Sequence, residues 1–77
     1  MDRKCAYEEE AKVIDAIIAA MESQKMRPYR LAIKAGLTDT GTRHVLKKTN
    51  HPTLATCIML ADALDVKLSD LLRDVGL

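Results

Sequence analysis

The stretch Arg27–Lys48, RPYRLAIKAGLTDTGTRHVLKK, decides how this chain folds. Two short helical patterns meet in it at Gly36, the first over Pro28–Ala35 and the second over Asp39–Lys47. Glycine is the residue best suited to the φ > 0 conformation that closes a helix. Thr38 stands where it caps the next helix, accepting a hydrogen bond from the backbone N–H of Thr40 or Gly41. Leu31, Ala35, Leu37 and Val45 are spaced to make the apolar contact between two helices crossing steeply, and Ala32 is small enough to let them approach. This is a helix-turn-helix layout. An ordinary αα-hairpin carries the same local signals, so the flanking chain has to decide between them.

On the C-terminal side, Thr49-Asn50-His51-Pro52 has strong turn chemistry. Thr53 is placed to cap a fourth helix running to about Leu64, with Leu54, Cys57, Ile58, Ala61 and Leu64 as its apolar positions. Asp65 falls where that helix ends and is expected at φ > 0, which Asp tolerates better than most residues. Val66 and Leu68 point inward from the connection. Ser69 is read as the cap of a fifth helix, with Asp70 in its first turn, Leu71, Leu72 and Val75 as its buried face and Gly76 as its terminator. On the N-terminal side, Tyr7–Lys25 is one amphipathic helix with acids at Glu8, Glu9 and Glu10 in its first turn. Val13, Ile14, Ile17, Ile18 and Met21 form its apolar stripe, widened by Ala11, Ala16, Ala19 and Ala20. Pro28 suits the first position of the next helix, Arg27 is a poor cap for it, and Met26 and Leu31 are spaced as a hydrophobic staple. Met1–Ala6 reads as a short polar arm; Arg3 and Lys4 are either part of a free terminus or reach toward a polyanion.

The expectation is an all-α, five-helix single domain. Seventy-seven residues bury roughly 60% of their unfolded surface, enough to fold alone. Tyr7 and Tyr29 are the only aromatics, so the core is built from Leu, Ile, Val, Ala and Met, which favours helix-on-helix packing. The formal net charge of +1 hides a strong asymmetry. Residues 24–51 carry Lys25, Arg27, Arg30, Lys34, Arg43, Lys47 and Lys48 against Asp39 alone, a net +6, whereas residues 1–23 carry −3 and residues 52–77 carry −2. A basic middle between acidic ends is the footprint of a polyanion-binding face, and it coincides with the two-helix stretch.

Other chemistries find no support in the pattern. Cys5 and Cys57 are too few for a disulfide framework and suit a reducing, cytosolic setting. Cys5, His44, His51 and Cys57 match no metal-ligand spacing, so no metal or other cofactor is expected. There is no glycine-rich phosphate loop and no nucleophile–base–orienter set, so enzymatic activity is not expected. No apolar run approaches the ~18 residues of a membrane span, and no signal peptide opens the chain.

Once the five helices are laid out, the sequence resembles the Cro/C1-type (phage-repressor-like, XRE family) helix-turn-helix DNA-binding domain. The resemblance runs without a gap from about Leu31 to Leu72. It is carried by Leu31-Ala32, Ala35-Gly36-Leu37-Thr38, Val45, Pro52-Thr53-Leu54, Ile58, Leu60-Ala61, Ala63-Leu64, Val66 and Leu68-Ser69-Asp70-Leu71-Leu72. The segment PTLATCIMLADALDVKLSDLL is very like the second half of that domain. There are departures. Pro28 stands where the family often has Gln. Thr42 replaces a buried Val or Ile, and its hydroxyl is expected to find a carbonyl one turn back. Gly41 inside the helix costs about 0.5–1 kcal/mol relative to Ala. Lys48 and Asp65 replace common glycines.

By that resemblance the helix at 39–47 is the recognition helix and enters the major groove, with Asp39, Thr40, Arg43 and His44 facing the bases. The planar fork of Arg43 suits guanine O6 and N7; Asp39 either accepts from cytosine or orients Arg43, four residues along. Tyr29, Arg30, Thr38, Lys47 and Lys48 are placed for phosphate, helped by the N–H groups at the start of the second helix. The resemblance implies a bacterial or phage transcriptional regulator that binds double-stranded DNA as a homodimer, with Leu72, Val75 and Leu77 as the expected dimer surface. Antitoxins and a eukaryotic coactivator share the fold and act through protein contacts, which keeps a protein-interaction module as the alternative.

Overall fold

A computed structural model describes residues 3–76. Five helices follow one another: α1 (Arg3–Ser23), α2 (Pro28–Ala35), α3 (Asp39–Leu46), α4 (Leu54–Ala63) and α5 (Leu68–Asp74). No strand occurs among the described residues, and no helix there is long and apolar enough to cross a membrane. The radius of gyration, 11.6 Å, matches the value of about 11.5 Å expected for a compact chain of this length.

The long helix α1 is the scaffold. Val13, Ile14, Ile17 and Met21 recur at helical spacing and are buried, with Ile14 and Ile17 at 1% and 0% exposure. In one core with this stripe stand Leu31 and Ala35 of α2, Val45 of α3, Leu60, Ala61 and Ala63 of α4, Leu64, and Leu71 of α5. Helix α2 packs on α3 and α4, whereas α1 packs on α3 and α5. Gln24 extends the scaffold by donating from Nε2 to the Leu64 carbonyl at 2.6 Å, which ties the end of α1 to the end of α4.

The helix ends follow one rule. Each helix closes on a residue at positive φ: Lys25 (55°), Gly36 (74°), Lys48 (65°), Asp65 (58°) and Gly76 (83°). After Gly36 the chain makes the paired Schellman bonds, Leu37 N–H to Ala32 O at 2.9 Å and Gly36 N–H to Ile33 O at 3.1 Å. The same pairing recurs after Lys25, Lys48 and Asp65. Asp65 thus adopts the conformation read from sequence, whereas Lys25 was read as the last residue of the first helix. Relieving this strain is expected to stabilise the fold. Asp65→Gly should gain about 0.5–1 kcal/mol, the left-handed penalty less the extra freedom of glycine when unfolded. The thermal midpoint checks it, and an unchanged or lower midpoint would contradict the strain argument.

Several expectations are corrected. Helix α1 begins at Arg3 rather than Tyr7, so residues 3–6 continue a helix instead of forming an arm; Arg, Lys and Ala are strong helix formers and no stop signal separates them from Tyr7. Met1 and Asp2 lie outside the described residues. Ser69 is not a cap: α5 starts at Leu68, behind Lys67, with no side-chain cap bond. The inward packing of Leu68 draws it into the first turn. In α4 the buried residues are Leu60, Ala61 and Ala63, while Leu54 is 69% and Ile58 43% exposed. LATCIMLADA is apolar almost all round, so its periodicity does not select a face; contact with α2 and α5 does.

Candidate nucleic-acid interface

The link between α2 and α3 is three residues long, and its geometry is locally determined. Gly36 turns the chain at φ 74° and ψ 26°. Thr38 then caps α3 by accepting the Gly41 N–H at 3.1 Å, one of the two donors expected. This cap explains the glycine. A Cβ at position 41 would stand 2.7 Å from Thr38 Oγ1, so alanine must push the capping hydroxyl aside and offsets its own gain in helix propensity.

Thr42 faces inward and is 2% exposed, but its Oγ1 has no hydrogen-bond partner among the described residues. The carbonyl one turn back, that of Thr38, already accepts the Thr42 backbone N–H at 3.0 Å. That carbonyl has a second acceptor site, but Thr42 Oγ1 does not use it, and the expected back-bond is not made.

The opposite side of α3 is open. Thr40, Arg43, His44 and Lys47 are exposed and Asp39 is half-buried. Arg43 Nε donates to Asp39 Oδ1 at 3.0 Å, one turn away on the same face. The guanidinium is held by one edge, which leaves its two Nη groups free to form a fork. The end of α3 is closed by its own chain, with the His44 carbonyl accepting from the Thr49 N–H and Thr49 Oγ1, each at 3.0 Å.

Arg43 also reaches the start of α2. It lines a cleft of about 500 Å³ together with Lys25, Met26, Arg27, Pro28, Tyr29 and Arg30. Arg27 precedes α2 in an extended conformation and makes no side-chain cap bond, so the first N–H groups of α2 remain available to an anion. Four cationic side chains thus converge on an uncapped helix start. From sequence, Lys25 enters the site only through the charge balance and Arg27 also as a poor cap; the free N–H groups of this helix start are read there too, but not that Arg43 meets Lys25 and Arg27 beside them. Tyr29 is 57% exposed, and Arg30, Thr38 and Lys47 are exposed as well.

Lys48 is differently placed. Its Nζ pairs with Asp15 Oδ1 of α1 at 2.6 Å. Beside it, the His51 ring stacks on Tyr7 at 4.3 Å between centroids, and His51 Nδ1 lies 2.6 Å from Glu10 Oε1. The loop after α3 is thus tied to α1 by contacts spanning some forty residues of sequence. Leu72 and Val75 are half-buried and packed against the core, and Leu77 lies outside the described residues. Cys57 is half-buried; its burial, and then the Glu10 carboxylate, push the thiol pKa upward, so it is a poor nucleophile.

Comparison with known protein families, curated proteins and solved structures finds no match to the chain.

Proposed function

We propose that this chain is a sequence-specific double-stranded DNA-binding domain of the Cro/C1 helix-turn-helix type its sequence resembles, acting as a bacterial or phage transcriptional regulator. One observation carries the reading: the basic stretch presents Arg43 between an uncapped α2 start, ringed by Lys25, Arg27 and Arg30, and the exposed face of α3. A backbone-binding surface and a base-reading fork then adjoin, as simultaneous phosphate and groove contact requires. Helix α3 lies in the major groove, where Asp39, Thr40, Arg43 and His44 meet base edges. Tyr29, Arg30, Thr38 and Lys47 meet phosphates, and Lys48 does so once released from Asp15. A domain this small reads few base pairs, so a two-fold dimer on half-sites about 34 Å apart supplies the rest of the specificity.

Selection of duplexes from a random pool tests the reading. Enrichment of a short pseudo-palindrome supports it, and equal affinity for all duplexes refutes it. Lys47→Ala should weaken every duplex alike and reduce the slope of log K against log salt by about one contact's worth, ~0.9. Titration at several salt concentrations checks this; a loss confined to one sequence would make Lys47 a base reader. The second reading, a protein-interaction module of the same fold, is favoured by the exposed apolar face of α4. Absence of duplex binding at low salt would select it.

A further inference from the structure

The cleft at the start of α2 gathers more positive charge than a single backbone phosphate balances. Lys25, Arg27, Arg30 and Arg43 line it, and no carboxylate does; Asp39, which holds Arg43 by Nε, stands outside it. Lys25, Arg27 and Arg30 form no ion pair among the described residues. Lys25 is held there at a left-handed φ of 55°, a conformation that favours glycine. Pro28 has no N–H, and the Leu31 N–H bonds the Arg27 carbonyl at 3.0 Å, so the helix start offers the N–H groups of Tyr29 and Arg30. Met26 and Pro28, both half-buried, are the apolar part of the cleft, and the exposed Tyr29 lines it as well.

We infer that this cleft binds a diphosphate group as a free ligand, either inorganic pyrophosphate or the diphosphate of a nucleotide, and that this ligand regulates access to the DNA-binding face. Charge complementarity decides the class. A phosphodiester brings one negative charge, whereas a terminal phosphate carries about −1.5 to −2; a diphosphate unites both kinds, at about −3, and matches the four cations more closely than either alone. The planar forks of Arg27, Arg30 and Arg43 suit phosphate oxygens, and Lys25 adds a point charge. The cleft of about 500 Å³ falls within the roughly 300–1,000 Å³ of small-ligand sites. It therefore has room for a nucleoside beyond the diphosphate, with the Tyr29 ring as a stacking face for the base. The binding stands on the cleft alone; its regulatory consequence rests on the DNA reading, because Arg30 and Arg43 serve both ligands.

Calorimetric titration of the whole chain with inorganic pyrophosphate, without divalent cations and at about 50 mM salt, tests this. Pyrophosphate should bind at least ~10-fold more tightly than inorganic phosphate or sulfate. Arg27→Ala should weaken it about ten-fold. Lys25→Gly should weaken it about five-fold while raising the thermal midpoint, since glycine relieves the left-handed backbone; loss of structure cannot produce both. Lys34→Ala removes the same charge outside the cleft and should change affinity less than ~two-fold. Adenosine diphosphate separates the two sources. Binding tighter than that of pyrophosphate, with the difference lost in Tyr29→Ala, assigns the site to a nucleotide; weaker binding assigns it to the inorganic ion. Pyrophosphate no tighter than phosphate overturns the proposal, as does a loss in Lys34→Ala equal to that in Arg27→Ala. The two readings fail separately, because the titration needs no duplex and duplex selection needs no pyrophosphate. Where both ligands bind, pyrophosphate should displace the duplex, and a duplex that stays bound at saturating pyrophosphate overturns the regulatory role.

Discussion

Thr42→Val is expected to stabilise the protein by about 1–3 kcal/mol, the cost of a buried hydroxyl left without a partner. The two side chains are nearly the same shape and have similar helix propensities, so the exchange removes the polar atom without opening a cavity. For a domain of this size each kcal/mol moves the thermal midpoint by roughly 4–8 °C, so calorimetry should show a rise of at least ~4 °C. The gain is large beside a total stability that for such chains amounts to only about 5–10 kcal/mol. The side chain points into the core, 2% exposed, about 100° around α3 from the exposed Arg43, so duplex affinity should not change. An unchanged midpoint would mean that the hydroxyl is satisfied by a water in the adjoining cleft, which Asn50, Thr53 and Thr56 also line.

Arg43→Ala is expected to reduce specific duplex affinity by about 1–3 kcal/mol, or roughly 5- to 150-fold, and to relax discrimination at one base pair. The effect belongs to the fork and not to the charge alone. Asp39 grips Nε at 3.0 Å and thereby orients the two Nη groups, so Arg43→Lys should recover phosphate attraction without recovering base preference. Stability should stay within ~0.5 kcal/mol, because both partners are substantially exposed and a surface pair one turn apart contributes little. Competition titrations with a selected duplex and its single-base variants measure both outcomes. A uniform loss across all variants would make Arg43 a phosphate contact and move base readout elsewhere on α3.

Much of the fold was legible because its signals are local. Gly36, Asp65 and Gly76 at positive φ, and Thr38 and Thr53 as caps, depend on residues within one turn of each other. The stripe Val13–Ile14–Ile17–Met21 selected its own buried side, because the rest of α1 is polar enough to give the pattern a direction. Helix α4 had no such contrast. Ala61 and Leu64 are buried as read, but Leu54 and Ile58 were placed with them although the neighbouring helices bury Leu60 and Ala63. Leu72 and Val75, read both as the buried face of α5 and as a dimer surface, are half-buried and packed on the core. The candidate interface was legible as a set of charges and exposed positions. Its layout was not, since Arg43 meets Lys25, Arg27 and Arg30 only when α3 crosses the start of α2.

By itself, then, the sequence determined where α2, α3 and α4 begin, which side of the amphipathic helices is apolar, and that the cations collect on residues 24–51; these follow from backbone sterics, capping and periodicity over a few residues. Tertiary structure alone decided which side of α4 stays in water, that the Thr42 hydroxyl is stranded, and that Tyr7, Glu10 and Asp15 of α1 hold His51 and Lys48 of the loop after α3. Each of these depends on which helices become neighbours, and that is settled by the apolar surface they jointly bury.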